Sequence, residues 1–290
     1  MPIKSIQFFA PASPVSDDAG QWIRDLFPTL LIRPAPRAEL HNGLHGNDET
    51  RASELDFLKN PHPDTLYMGG RGGYGSMRCL NQWLKQGRIS DSKAFVCGFS
   101  DLTVFLNYLP RYGISCWHGP LGMFPKNPPP PDGRLVQSFR SLIENRGFSY
   151  PISQGHKFKG RVIGGNLTVF LSLLGTRFEP EWEGKILLLE DVSESTYRLD
   201  RMLTQILSHK KFKSLSGVLL GQFTACSPQK GDGFNASLQD VCADFVCKSS
   251  VSVVEDVATG HIEDLLVIPM DREVTVMDGS ICWDAIPERG

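Results

Sequence analysis

The sequence predicts an α/β protein whose N-terminal half is a Rossmann-like or flavodoxin-like domain with a parallel sheet. Short apolar segments alternate with amphipathic segments through the first 120 residues or so, and strands that alternate with helices favour a parallel sheet covered on both faces. A glycine-rich stretch, "GGRGGYGS", stands between one such strand and the helix that follows. The prolines at 128–131 then end the pattern, since they continue neither helix nor strand.

The composition is that of an ordinary soluble globular protein. The chain has 290 residues, 41% of them hydrophobic and 21% charged, and a length of this order favours two domains of about 150 residues each. A formal net charge of -2 gives no basic surface for nucleic acid or anionic lipid. We therefore expect no nucleic-acid partner.

Compartment and metal content follow from the N-terminus and the cysteines. The first apolar run is ended at once by Pro11, and no later stretch is long enough to span a bilayer. The seven cysteines are scattered, with no C-x-x-C pair, which predicts reduced, mostly buried thiols and no metal site. We expect a cytoplasmic protein without a membrane partner.

In the first half, each strand is a short apolar run and each helix has apolar residues on one side. The helix at 76–86, for example, places Met77, Leu80 and Trp83 together. The predicted strands are residues 6–10, 65–68, 94–97 and 114–117, and the predicted helices are residues 47–60, 76–86 and 102–109.

The second half is richer in strands. We predict a glycine turn and an amphipathic helix within residues 161–175, a helix at 195–207, and strands at 186–189, 218–220, 251–254, 265–268 and 274–276. The domain boundaries we expect are 1–124 for an N-terminal domain, 125–155 for a proline-rich linker and 156–290 for a C-terminal domain.

The stretch "CGFSDLT" carries the first candidate for catalysis. A buried strand leads into Ser100, and a helix follows directly. A serine on such a sharp turn exposes its hydroxyl, and the next amide, that of Asp101, can bind an oxyanion. Because Leu102 stands where G-x-S-x-G has its last glycine, an ordinary helix N-cap at Ser100 or Asp101 remains the alternative.

An acid and a histidine complete a possible triad. Glu190 and Asp191 end an apolar strand, and His261 follows Gly260 in a loop. Carboxylates at strand ends are often solvated or cap a helix, and loop histidines are usually exposed. His118 is the other histidine directly after a strand. The order Ser, acid, His is nevertheless that of several serine hydrolases.

The glycine stretch also fits a nucleotide-binding motif. Gly70, Gly72 and Gly75 fit the dinucleotide fingerprint G-x-G-x-x-G. A non-catalytic nucleotide-binding protein is therefore the alternative from another class, with Asp101 as the acid for the ribose. The stretch does not follow the first strand, which weakens this hypothesis.

Several motifs in one order resemble the LD-carboxypeptidase family, serine peptidase family S66, which also includes the microcin C self-immunity proteins. The motifs are "HGNDETRASEL", "RGGYGSMRCL", "GFSDLT", "WHGP", "GGNLTVF", "LLLEDVSESTYRLDRMLTQ" and the "GH" loop. They extend from about Phe9 to about Asp278, nearly the whole chain.

The resemblance implies a fold and a set of roles. It implies a C-terminal domain of the swivelling β/β/α, barrel-like kind, and an active site between the domains. The catalytic residues would be Ser100 on the N-terminal domain with Glu190 and His261 on the C-terminal domain, Glu194 being the alternative acid. The oxyanion hole would involve Asp101, Gly72 and Gly73. We expect substrate contacts from Arg71, Tyr74 and Asn166, and no cofactor or metal.

The function implied is hydrolysis of the bond between meso-diaminopimelate and the terminal D-alanine of murein tetrapeptides, by a cytoplasmic homodimer whose partner is a small peptide. A microcin-type amide hydrolase is the alternative. The loop after His261 lacks the asparagine often found there, and Asp271 replaces a usual glycine. These departures leave the substrate preference open.

Overall fold

The computed structural model describes residues 2–86, 89, 94–229, 231 and 233–285, which form two large sheets with helices packed on them. The strands are β1 (Ser5–Phe9), β2 (Leu31–Arg33), β3 (Leu40–His41), β4 (Leu44–His45), β5 (Thr65–Gly69), β6 (Phe95–Gly98), β7 (Ser115–His118), β8 (Phe148–Pro151), β9 (Phe158–Asn166), β10 (Ile186–Val192), β11 (Gly217–Thr224), β12 (Val253–Val254), β13 (Ile268–Pro269), β14 (Glu273–Met277) and β15 (Ser280–Trp283). The helices are α1 (Gln21–Leu26), α2 (Asp48–Ser53), α3 (Ser76–Gln86), α4 (Thr103–Tyr108), α5 (Arg134–Ile143), α6 (Leu167–Leu173), α7 (Thr196–Ser208) and α8 (Leu238–Lys248).

The first sheet confirms the predicted parallel α/β arrangement. Its order is β13-β7-β6-β5-β1-β2, and every neighbouring pair except β13 with β7 is parallel. Counted along the chain, the parallel strands have the order 2-1-3-4-5 of flavodoxin-like sheets. Residues of β5 are buried throughout, which explains why this strand reads as an unbroken apolar run. The carboxyl ends of β1, β5, β6 and β7 meet at one edge.

The second sheet is mixed. Its order is β12-β11-β10-β9-β14-β15-β8, with β9 to β12 parallel and the rest antiparallel. The glycine turn predicted within 161–175 is instead the end of β9, because Gly164 and Gly165 continue the pairing with β10 at positive φ. A Cβ atom at position 164 would lie 2.0 Å from the Leu188 carbonyl oxygen, so only glycine lets the two strands approach.

Two other predicted elements differ from the structure. The helix predicted at 47–60 is divided into α2 and a 3-10 turn at Asp56–Lys59. Between them, the carboxylate of Glu54 accepts a hydrogen bond from the backbone N–H of Ala10 at 3.2 Å. The strand predicted at 265–268 is only Ile268–Pro269, and it pairs with β7 of the first sheet. The chain therefore returns to the first sheet after contributing to the second.

The segment 125–155, expected as a linker, also contains α5 and β8. The apolar side of α5 packs against α1, where Phe139 lies edge-on against Trp22 and Phe27, with ring centroids 5.3 and 5.5 Å apart. No sequence pattern predicted α5, and α1, α8, β2, β3, β4, β8 and β15 were not predicted either. Several of these segments are short or follow prolines, so their periodicity is weak.

The two sheets are joined through α4 and the end of β9. The buried amide of Asn107 donates to the carbonyl of Gly164 and accepts from its N–H, both at 2.8 Å. Beside it, the hydroxyl of Thr103 accepts from the N–H of Asn166 at 3.0 Å. Because β9 and β10 are parallel neighbours, these contacts also fix the position of β10 relative to α4, the helix that follows β6.

We expect Asn107→Ala to destabilise the protein by about 2–3 kcal/mol, since it leaves the buried N–H and carbonyl of Gly164 without partners. Urea unfolding followed by circular dichroism measures this change. Gln205→Ala, at an exposed position of α7, is the control and should change the free energy of unfolding by less than about 0.5 kcal/mol. Equal stability of the two variants would contradict the role given to Asn107.

Candidate active site

Ser100 stands at the turn between β6 and α4. Its φ is +61°, a left-handed conformation that is uncommon for a residue with a side chain and typical of a nucleophile elbow. Neither the 3-10 turn at Ser100–Leu102 nor α4 has a side-chain cap. The N-cap alternative for Ser100 is therefore wrong.

Asp101 caps a different helix. Its buried carboxylate accepts a hydrogen bond from the backbone N–H of Ser76, the first residue of α3, at 2.8 Å. Burial raises the pKa of Asp101, while the Ser76 hydrogen bonds and the positive charge of Arg51 act in the opposite direction. The residue after Ser100 thus joins the elbow to the end of the glycine turn. Its carboxylate is not available for a ribose, which argues against the nucleotide-binding alternative.

The glycine turn lies directly against Ser100. A Cβ atom at position 72 would be 3.1 Å from Ser100 Oγ, and one at position 73 would be 2.1 Å from Ser13 Oγ. Gly73 also has a φ of +122°. Both glycines are needed here for close approach, and Gly73 for its backbone conformation as well.

A buried arginine supports the turn from behind. Arg51 is fully buried, donates to the Gly46 carbonyl at 2.7 Å and pairs with Asp48. A Cβ atom at position 75 would lie 3.5 Å from Arg51 Nε, so the end of the turn packs on the guanidinium. The supporting role of Arg51 was not predicted from the sequence, although Arg51 lies in the "HGNDETRASEL" motif.

Glu190 and His261 lie together in the second half of the chain. His261 Nδ1 and Glu190 Oε2 are 2.7 Å apart, and the Glu190 side chain is fully buried. Burial raises the pKa of Glu190, against which the hydrogen bond and the charge of His261 act. Glu194, the alternative acid, instead pairs with Arg198 at 3.0 Å.

A β-bulge and two glycines make room for this pair. The register between β10 and β11 shifts between Leu189 and Asp191, which is where Glu190 stands, and bulges commonly redirect side chains next to functional sites. Gly260 has a φ of +113°, and a Cβ atom there would be 2.9 Å from Glu190 Oε2. At position 221 it would be 2.8 Å from the Thr259 carbonyl oxygen.

The second sheet presents His261 to the elbow of the first. The imidazole lies against Phe99, the residue before Ser100, with ring centroids 4.6 Å apart. Phe124 lies on another side at 6.5 Å. Within the described part of the chain, Ser100 Oγ has no hydrogen-bond partner, and His261 contacts the elbow through Phe99.

His118 is buried beside the site. Its Nδ1 lies 3.2 Å from Thr259 Oγ1, and that hydroxyl donates to the Leu266 carbonyl at 2.9 Å. Because the hydroxyl has a single proton, Nδ1 of His118 carries the proton in this contact. Burial, followed by the charge of His261, lowers the pKa of His118 to about 3. His118 is therefore a neutral support for the His261 loop.

The other predicted site residues differ in their exposure. Arg71 and Tyr74 are exposed on the glycine turn. Asn166 is buried and engaged, since its side chain accepts from the N–H of Val169 at 3.1 Å and donates to Asp191 at 2.8 Å. Among residues 2–86, 89, 94–229, 231 and 233–285, no group of three His, Cys, Asp or Glu side chains is arranged to hold a metal, and no helix is long and apolar enough to cross a membrane.

The match of both halves of the chain to a peptidase family defines the class of protein as a hydrolase. The chain belongs to the LD-carboxypeptidase family: residues 6–119 match the family's N-terminal domain and residues 159–276 its C-terminal domain. The predicted family, and with it a hydrolase of the peptidase kind, is confirmed.

Individual relatives cover nearly the whole chain. A murein tetrapeptide carboxypeptidase from Pseudomonas aeruginosa is 31% identical over 302 residues, covering 96% of this chain and 94% of the relative. The muramoyltetrapeptide carboxypeptidase from Oxalobacter formigenes is 25% identical, with a TM-score of 0.77 and coverage of 96% and 98%. The microcin C7 self-immunity protein MccF, solved with aspartyl sulfamoyl adenosine, has a TM-score of 0.78 and coverage of 99% and 97% at 18% identity. These structures confirm the predicted fold class.

We expect His118 to make the protein less stable in acid. Its pKa is about 3 when folded and 6.5 in its ordinary state, so the unfolded chain binds the proton first as the pH falls from about 6.5 toward 3. Between pH 7 and pH 4.5, His118→Gln should therefore lose about 2 kcal/mol less unfolding free energy than the wild type. Denaturant titrations at both pH values measure the difference. The exposed His41→Gln should match the wild type, and a His118 variant that also matches it would disprove the assignment.

Proposed function

We propose that the protein is a serine-type LD-carboxypeptidase that hydrolyses the bond between meso-diaminopimelate and the terminal D-alanine of murein tetrapeptide. The observation that carries the proposal is the 2.7 Å contact between His261 and the buried Glu190, placed against the residue that precedes Ser100. The murein tetrapeptide carboxypeptidase among the relatives, similar over 96% of this chain, supports the choice of substrate.

In this mechanism Ser100 is the nucleophile and His261 the general base. Glu190 accepts a hydrogen bond from the N–H at Nδ1 of His261, which leaves Nε2 as the nitrogen that can take the proton from Ser100 Oγ. The serine attacks the carbonyl carbon of diaminopimelate, and His261 then gives the proton to the amine of D-alanine as the C–N bond breaks. Water releases the acyl group by the same steps. Side-chain rotation on substrate binding would bring Ser100 into contact with His261.

The oxyanion would be bound by backbone N–H groups. The amide of Asp101 lies at the first turn of a helical segment, where N–H groups have no helical partner. A second N–H would come from Gly72 or Gly73, since this turn contacts the Ser100 side chain. One such donor typically lowers the barrier by about 2.7–4 kcal/mol.

The substrate is rich in carboxylates, and we propose that Arg71 and Tyr74 contact it from the glycine turn. Both side chains are exposed, Tyr74 by 61%. For Asn166 we propose a positioning role instead, because its amide holds the start of α6 and Asp191. No cofactor enters these steps.

We also propose that the enzyme works in the cytoplasm as a homodimer. All seven cysteines are free, and four of them are buried, which suits a reducing compartment.

A microcin-type amide hydrolase is the alternative function, but a likeness to MccF at 18% identity supports the fold alone. The carboxypeptidase is therefore the function we propose.

We expect Ser100→Ala to lower the release of D-alanine from L-Ala-D-Glu-meso-DAP-D-Ala by at least about 10³-fold, because the nucleophile is lost. Chromatography of the amino acids released in a timed incubation measures this. Ser153→Ala, at an exposed position, should keep the parent rate. A Ser100→Ala enzyme of parent activity would exclude serine catalysis.

The two candidate acids can be compared directly. We expect Glu190→Gln to lower kcat by about 10²–10⁴-fold, since a neutral amide no longer stabilises the imidazolium. Glu194→Gln is the matched control and should stay within about 3-fold of the parent, because Glu194 pairs with Arg198. The assignment of the acid would be reversed if Glu194→Gln showed the larger loss.

A further inference from the structure

Ser13 stands three residues after Ala10, beyond the end of β1, and its side chain faces Gly73 of the glycine turn. A Cβ atom at position 73 would be 2.1 Å from Ser13 Oγ, compared with 3.1 Å between a Cβ atom at position 72 and Ser100 Oγ. Consecutive Cα atoms are about 3.8 Å apart. The two serine hydroxyls therefore face neighbouring residues of one turn.

The sheet order places these hydroxyls on opposite sides of the turn. Strand β5, which leads into the glycine turn, lies between β1 and β6. Ser13 follows β1 and Ser100 follows β6. The gap between β1 and β5 is also the topological switch point of a flavodoxin-like sheet, where such folds bind ligands.

The hydroxyl of Ser13 is free to bind a ligand. Ser13 is half-buried, and its Oγ has no hydrogen-bond partner among the residues that the structure describes. By contrast, the nearby Ser16 hydroxyl is engaged with Asp18. The N–H of Ser76 at the start of α3 is taken by Asp101, so the hydroxyl rather than that amide is the available donor.

We propose that Ser13 Oγ donates a hydrogen bond to the terminal carboxylate of the peptide substrate. In a carboxypeptidase substrate this carboxylate lies one residue, about 3.8 Å, beyond the carbonyl that is attacked. Since Ser13 and Ser100 face neighbouring residues of the turn, a substrate whose reacting carbonyl lies at Ser100 extends by one residue along the turn toward Ser13. The exposed Arg71 in the same turn supplies positive charge that favours an anion there. The inference rests on the proposed carboxypeptidase function.

The test compares the tetrapeptide with its C-terminal D-alaninamide analogue, which lacks the negative charge. For the acid, we expect Ser13→Ala to lower kcat/KM by about 10- to 100-fold, mainly through KM, because a hydrogen bond to a charged group is lost. For the amide, the variant should match the wild type within about 3-fold. Ser16→Ala is the control on the same loop and should leave both substrates unchanged.

The outcomes separate the inference from the proposed function. A Ser13→Ala enzyme that is unchanged on the acid, or weakened equally on acid and amide, would overturn the carboxylate contact while leaving the function intact. A wild type that releases no D-alanine would overturn the function itself. Ser13→Cys keeps the size of the side chain with a weaker donor, and an intermediate KM for the acid supports the contact. Thermal midpoints of both variants should equal that of the wild type.

Discussion

The buried carboxylate of Glu190 is the constraint on which the rest of the site depends. An ionised carboxylate without exposure costs several kcal/mol unless it is paired. Its Oε2 is bonded to His261, whereas Oε1 has no partner among the described residues. The sheet has a bulge at Glu190. Glycines at 221 and 260 leave room around this side chain, because a Cβ atom at 260 would lie 2.9 Å from Glu190 Oε2 and one at 221 would lie 3.2 Å from Glu190 Cβ.

In the first sheet, a second buried carboxylate supports the turn that carries Ser100. Asp101 holds the start of α3 through the N–H of Ser76, while Arg51 packs beneath Gly75 and attracts Asp101 electrostatically. The glycine turn and the elbow are therefore a single unit with fixed geometry. In the proposed mechanism, donors held in such a unit are oriented before a substrate arrives, which is how preorganised donors lower a barrier.

Part of the fold and of the candidate site could be predicted from the sequence. The first sheet could be predicted because buried parallel strands appear in a sequence as apolar runs. The choice of Glu190 over Glu194 as the partner of His261 could be predicted because Glu190 stands at the end of a strand. Ser13 and Arg51 act through contacts between segments that are distant in sequence, which no local pattern contains. The strand predicted at 265–268 joins the first sheet instead, because strand pairing is set by tertiary structure rather than by the residues of the strand alone.

That last difference explains how residues from two sheets stay aligned. The segment that carries His261 is anchored on the second sheet, where the N–H of Gln222 donates to the Thr259 carbonyl at 2.9 Å. A few residues later, Ile268 pairs with His118 in the first sheet. Since Thr259 also contacts His118 at 3.2 Å, the histidine loop is attached to both sheets on either side of His261. Its imidazole is thus positioned relative to Ser100 by the loop itself, in addition to the contacts of Asn107 between α4 and β9.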